Sequence, residues 1–289
     1  MTVRHEREEM GALMAAGPEE QRRLLQAWGL PAAALLMLES PCRGHCVFCA
    51  NAGVRQTPLS PTSRALDFAR QVRGGLLCVG GNEPATHPAF LEALCLARAD
   101  RVQVMTSGMD LMDCAESWAA SGVHEVAVPI YSRRASVHQS VTGMDHGRLV
   151  AGLERARDAG IQVHLHSLAL QENLNDLHDL SKWSQALFGR RLVVAPTRAK
   201  DDVWDYATQA PALDDVRDEL VRADVELIGW PDCVLPDHPR GGAEVIRIYF
   251  HGQARVQGRL CVQCSRHASC AGVVEGELRH RGESGLTRM

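Results

Sequence analysis

Between residues 34 and 196 the chain switches repeatedly between short apolar runs of strand length and longer segments with apolar residues at helical spacing. Strands read at 34–38, 76–80, 102–106, 125–131, 162–170 and 192–196. The helices between them show as Phe90, Leu91 and Leu94; as Leu111, Cys114, Ala115 and Trp118; and as Leu149, Leu153 and Ala156. Gly122 and Gly160 stand where helix C-caps fall. Strands separated by helices pair in parallel through right-handed crossovers, so the expected fold class is α/β and the architecture an open, partial (β/α)6 barrel. Functional groups in such barrels collect at the C-terminal ends of the strands.

The first strand runs into Pro41-Cys42-Arg43-Gly44-His45-Cys46-Val47-Phe48-Cys49. Three thiolates from one loop can hold three irons of a four-iron four-sulfur cluster and leave the fourth iron open to a small molecule. Structural zinc is the alternative, although it usually takes four protein ligands, commonly as two short pairs. The second strand ends in Gly80-Gly81-Asn82-Glu83-Pro84. Its glycines let the backbone approach a ligand closely and adopt positive φ.

A C-x3-C-x2-C loop with Phe48 before its last cysteine, followed one βα unit later by Gly-Gly-Asn-Glu-Pro, resembles the radical S-adenosylmethionine (SAM) superfamily. The resemblance implies a TIM-like partial barrel and a four-iron four-sulfur cluster on Cys42, Cys46 and Cys49. It implies SAM on the open iron beside Phe48, cleaved to methionine and a deoxyadenosyl radical after reduction by flavodoxin or ferredoxin. It also implies that Gly80, Gly81, Asn82, Glu83 and Pro84 contact the methionine end, with Glu83 on the SAM ammonium. Polar groups at later strand ends would touch the ribose and carboxylate, which makes Ser107, Ser132, His166 and Arg198 candidates by position. Along the fifth strand Gln162, His164 and His166 alternate with apolar residues, so the polar set should face the barrel interior. Ordinary loop caps and satisfied interior histidines are the alternative for each of these residues.

Residues 133–147 read as a long polar loop carrying His138, Thr142, Gly143 and His146. It either covers the active site, as the similar segment does in several radical SAM peptide-modifying enzymes, or is a solvated excursion.

Past residue 210 the character of the chain changes. An amphipathic helix reads at 214–222, Cys233 lies in a turn-rich stretch, and 244–250 with 253–256 reads as a hairpin around His251-Gly252. Behind it come Cys261, Cys264 and Cys270, a C-x2-C-x5-C spacing that resembles the SPASM and twitch extensions of radical SAM enzymes, which hold auxiliary iron-sulfur clusters. The pattern departs from full SPASM at Val274, where that motif has a further cysteine. With Cys233 the tail offers four cysteines, enough for one auxiliary cluster; zinc, with His267 able to replace one thiolate, is the alternative. Cys78, Cys95 and Cys114 read as small core residues.

The expected division is a helical segment at 1–32, too short to be a recognition domain, a barrel at 33–210 and an auxiliary metal-binding region at 211–289. With 31 basic against 35 acidic residues there is no bulk positive field for nucleic acid. No apolar run reaches the length of about 18 residues needed to span a membrane, and the charged first 30 residues are not signal-like. Ten cysteines without a secretion signal point to metal chemistry in a reducing cytoplasm. The expected function is hydrogen abstraction from a ribosomally made peptide, as in maturases. A small-molecule tailoring enzyme of antibiotic or cofactor biosynthesis is the alternative. A non-catalytic electron carrier is a third reading, opposed by the motif at 80–84, because a carrier needs no pocket for methionine.

Overall fold

A computed structural model describes residues 10–49, 59–197, 205–251, 255–267, 270, 272–286 and 289. Seven strands pair in parallel and in chain order: β1 (Ala33–Met37), β2 (Leu76–Gly80), β3 (Arg101–Met105), β4 (Glu125–Pro129), β5 (Gln162–Ala169), β6 (Val193–Pro196) and β7 (Glu226–Leu227). The sheet is open. The expected six strands are all present, and the seventh, contributed by the chain past residue 210, extends the edge at β6.

Each strand is buried on both faces, and the period of two along it divides the apolar residues into two cores. Leu36, Val79, Val104, Val128 and Leu165 face the helices, while Leu35, Cys78, Met105, Ala127 and Leu168 belong to the inner core. The free edge of β1 is covered by α1 (Pro18–Ala27), whose buried Gln21 accepts from the Leu35 N–H at 2.6 Å and donates to the Leu35 carbonyl at 3.3 Å. A helix thus supplies the hydrogen bonds that a neighbouring strand would have made.

On the outer layer lie α2 (Thr62–Gln71), α3 (Phe90–Leu96), α4 (Leu111–Ala120), α6 (His146–Asp158) and α7 (Leu177–Phe188), while α5 (Ala135–Thr142) lies against the loop after β1 with its Val141 in the inner core. Gly122 and Gly160 follow their helices with φ of 89° and 83°, the left-handed geometry that a side chain resists. Residues 133–147, expected as a loop, contain α5. Its buried His138, Val141 and Thr142 form an apolar-facing stripe at helical spacing.

After α8 (Tyr206–Gln209) and α9 (Leu213–Ala223), the hairpin expected at 244–256 does not form. Residues Glu244–His251 are instead a helix, α10, and Arg255–Val256 (β8) pairs antiparallel with Val273–Val274 (β9). The physical reason is location. Val245, Ile246, Ile248 and Phe250 are buried in the inner core, where no strand edge is free, so the segment must close its own backbone hydrogen bonds. The chain then ends in α11 (Glu275–Arg281). Among the described residues no helix is long and apolar enough to cross a membrane.

Candidate functional site

The exits of β1 and β2 are stitched together at the barrel rim. Leu38 N–H donates to the Gly80 carbonyl at 2.8 Å, and the buried Ser40 hydroxyl donates to the Glu83 carbonyl. Gly81, at φ 139°, lies so close that a Cβ there would stand 2.1 Å from the Leu38 carbonyl oxygen, so only glycine fits.

Beyond this stitch the loop carries Cys42, Cys46 and Cys49. Gly44 N–H approaches the Cys42 Sγ at 3.4 Å, and a Cβ on Gly44 would lie 3.6 Å from the sulfurs of both Cys42 and Cys46, so the two thiols flank it. Cys49 N–H donates to the Cys46 carbonyl at 3.0 Å. The loop is braced from α5: His45 and Val47 N–H groups donate to the carbonyls of Thr142 at 2.7 Å and Val141 at 3.0 Å. Phe48 packs on Tyr131 with ring centroids 5.1 Å apart. The segment 133–147 therefore abuts the cysteine loop through backbone bonds.

Burial, followed by the charges of Cys49 and Cys42, pushes the Cys46 thiol up to about 12; burial also raises Cys42. A cation among the three would reverse that balance and favour thiolates. Among the described residues no three metal-ligating side chains close round a single ion.

Glu83 is buried, and burial raises its pKa against the opposing hydrogen bonds. Its Oε1 accepts from the Thr106 hydroxyl at 2.7 Å and its Oε2 from the Ser107 N–H at 2.7 Å. The ends of β2 and β3 are thereby tied through one carboxylate. The Ser107 hydroxyl also bonds to Glu83. Ser132, after β4, donates its hydroxyl to Asp176 and accepts from the Arg134 N–H at 2.9 Å, so it caps the turn before α5. His166 lies on the inner face of β5, its Nδ1 buried without a hydrogen-bond partner and its ring edge-on to Phe250 at 6.0 Å. Burial lowers its pKa to about 3, which keeps the imidazole neutral. Arg198 lies outside the described residues.

One arrangement was not visible in the sequence, a polar latch on the inner face near the strand starts. Gln103 donates to Glu125 at 3.1 Å and to Glu244 at 2.5 Å, and accepts from the Val245 N–H at 2.9 Å. His164 bonds Glu125 at 2.6 Å. Burial alone would raise the Glu125 pKa, but the hydrogen bonds from His164 and Gln103 hold it below the usual carboxylate range. Strand-period polar residues at 103, 125 and 164 were the available signal; their partner at 244 was not deducible.

In the tail, Cys233, Cys261, Cys264 and Cys270 line one pocket together with Asp232, Arg266 and His267. Gly272 N–H approaches the Cys270 Sγ at 3.4 Å. Val274, at the position where SPASM continues with cysteine, is buried in β9. The tail is fastened to the rim by α11, where Glu277 accepts from the Tyr206 hydroxyl and from Arg281, both at 2.9 Å.

A family model described as the radical SAM superfamily matches residues 41–183. The GTP 3',8-cyclase of Caulobacter vibrioides is 25% identical over 255 residues, covering 81% of this chain and 71% of that protein. The GTP 3',8-cyclase of Rhodopseudomonas palustris is 27% identical over 273 residues, covering 90% and 72%. Among solved structures, Streptococcus suis SuiB bound to S-adenosylmethionine matches 90% of this chain and 76% of that chain, with a TM-score of 0.61 at 12% identity, a likeness of fold. The chain is an enzyme of the radical SAM superfamily, and membership implies S-adenosylmethionine and a four-iron four-sulfur cluster as its cofactors.

Proposed function

We propose that this enzyme abstracts a hydrogen atom from an unreactive carbon of a ribosomally made peptide, and that Cys233, Cys261, Cys264 and Cys270 would hold an auxiliary cluster able to take up an electron from the substrate or to position it. The observation that carries the reading is the cavity lined by four cysteines. A centre fully ligated by protein has no vertex for substrate and is suited to electron transfer. Zinc in the same cavity is the competing occupant.

Cys42, Cys46 and Cys49 are the proposed ligands of the first cluster. They come from one loop, two of them flank Gly44, and their mutual repulsion as thiolates is what a cationic core would offset. When bound, the cluster and SAM supply the one-electron cleavage that yields the deoxyadenosyl radical. The chain's own residues hold and orient. Phe48, pinned by Tyr131, forms a wall beside the loop, and the turn of Gly80, Gly81, Asn82 and Pro84 presents backbone groups to the methionine end. The two oxygens of Glu83 offer about four acceptor sites, taken by the Thr106 hydroxyl, the Ser107 N–H and hydroxyl and the Ala85 N–H, so an ammonium would take the place of one of these donors. Ser107, Ser132, His166 and Arg198 are the rim candidates for the remaining SAM contacts. Reduced flavodoxin or ferredoxin is the proposed donor. We retain 33–210 as the barrel and 211–289 as the auxiliary region, whose α10 fills the barrel interior.

The test is anaerobic reconstitution with dithionite and SAM. Deoxyadenosine should form, and the variant with Cys42, Cys46 and Cys49 all replaced by Ala should form none; deoxyadenosine from that variant would refute the assignment. A small-molecule substrate is the second reading, favoured because the curated relatives are GTP 3',8-cyclases. The two separate by which additive accelerates deoxyadenosine release, a short peptide encoded beside the gene or a purine nucleotide.

A further inference from the structure

We propose that Arg240 positions the fourth cysteine of the tail cavity and holds its positive charge against that cavity, making a cluster bound there easier to reduce. The inference rests on the auxiliary-cluster reading above and names a residue that no motif contains. Cys233 is separated by 28 positions from Cys261 and lies in the irregular segment 230–235, which α9 reaches on the C-terminal side of the cysteine, Arg217 donating to the Val234 carbonyl at 3.0 Å.

Arg240 grips the backbone on both sides of the cysteine. Its Nη1 donates to the Trp230 carbonyl at 2.9 Å and its Nη2 to the Leu235 carbonyl at 3.1 Å, three residues before and two after the cysteine. Trp230 in turn donates its indole N–H to the Val194 carbonyl of β6 at 2.9 Å, which ties the brace to the sheet. The planar fork of arginine suits this two-carbonyl grip, whereas a lysine ammonium would make it one carbonyl at a time. The guanidinium also feels the charges of Cys270 and Cys233, and it faces Asp232 at 3.6 Å, a lining residue of the same cavity.

An iron-sulfur centre held by four thiolates is anionic and gains one more negative charge when it accepts an electron. A nearby fixed cation therefore stabilises the reduced state more than the oxidised one, and a nearby carboxylate does the reverse. Two substitutions should shift the potential in opposite directions: Arg240→Gln downward, Asp232→Asn upward. Arg240→Lys, which keeps the charge but loosens the grip, should stay close to the parent in potential while retaining less iron.

The experiment uses the full chain with Cys42, Cys46 and Cys49 replaced by Ala, reconstituted anaerobically with iron and sulfide. Iron and zinc are counted, and the protein is titrated with dithionite while the paramagnetic signal is followed. The expected result is iron equivalent to one cluster, with the two opposite shifts. A parent that holds zinc, or no iron, overturns the auxiliary-cluster reading and this inference with it. A parent that holds a cluster whose potential is unmoved by both Arg240→Gln and Asp232→Asn overturns the inference alone. Should Arg240→Gln shed its iron, the Asp232→Asn shift decides: an upward move supports the field, and none refutes it.

Discussion

Two buried histidines should make the fold acid-sensitive well above the carboxylate range. His138 is fully buried beside His146, and His166 is buried against Phe250; burial lowers their pKa values to about 4 and about 3. In the unfolded chain each titrates near 6.5, so below that pH the unfolded state binds protons that the native state refuses. The stability each neutral ring preserves is fully present above about pH 7 and is lost as pH falls from 6.5 towards the folded value. From pH 7.5 to 5.5 the loss per histidine is about 1.4 kcal/mol, from 1.36 kcal/mol per pH unit below the unfolded pKa. The assay is urea unfolding of anaerobically purified protein at both pH values, comparing the parent with His166→Phe and with His138→Phe. Each variant should lose about 1.4 kcal/mol less than the parent on acidification, whatever its stability at pH 7.5. Comparing differences removes the contributions of Glu125, Glu83 and the metal sites. A parent and variants with the same pH dependence would refute the claim that these rings are held neutral.

Gly81→Ala should prevent the β1 and β2 exits from closing, because the new Cβ meets the Leu38 carbonyl and the positive φ itself costs about 1–2 kcal/mol. Circular dichroism melts should fall, and calorimetry should detect no SAM binding; an unaltered variant would show that the stitch does not shape the site. Phe250→Ala should remove the inner-core packing against His166 and cost about 3–5 kcal/mol, read by the same melts. A loss under about 1 kcal/mol would show that α10 is not seated in the barrel.

Much of this molecule could be read locally. The strand limits at 76–80 coincide with β2, and the others fall within a few residues of the observed ones, because each strand is short, apolar and bounded by turn residues. The proximity of Glu83 to the β3 exit also follows from chain order, since neighbouring parallel strands end side by side. Cys95, expected in the core, is exposed, because α3 buries Phe90, Ala93 and Leu94 on its other face. The two errors of secondary structure share a cause. In 244–250 the buried residues Ile246, Ile248 and Phe250 alternate as in a strand, and the segment is a helix because it lies inside the barrel without an edge to pair with. In 133–147 the polar composition hid a stripe of His138, Val141 and Thr142 that becomes meaningful only against the cysteine loop.

What the amino-acid order determined alone was the period of each segment, the caps that end it and the thiol triad carried on one loop. These depend on neighbours within a few residues, where backbone sterics and side-chain spacing act directly. Only the tertiary structure decided that Cys233 joins Cys261, Cys264 and Cys270 round one cavity, that Gln103 meets Glu244, and that α10 fills the barrel. Those contacts join residues tens to more than a hundred positions apart. Their partners are chosen by which buried polar and apolar groups remain unsatisfied once the sheet has formed, a property of the assembled core that no local window contains.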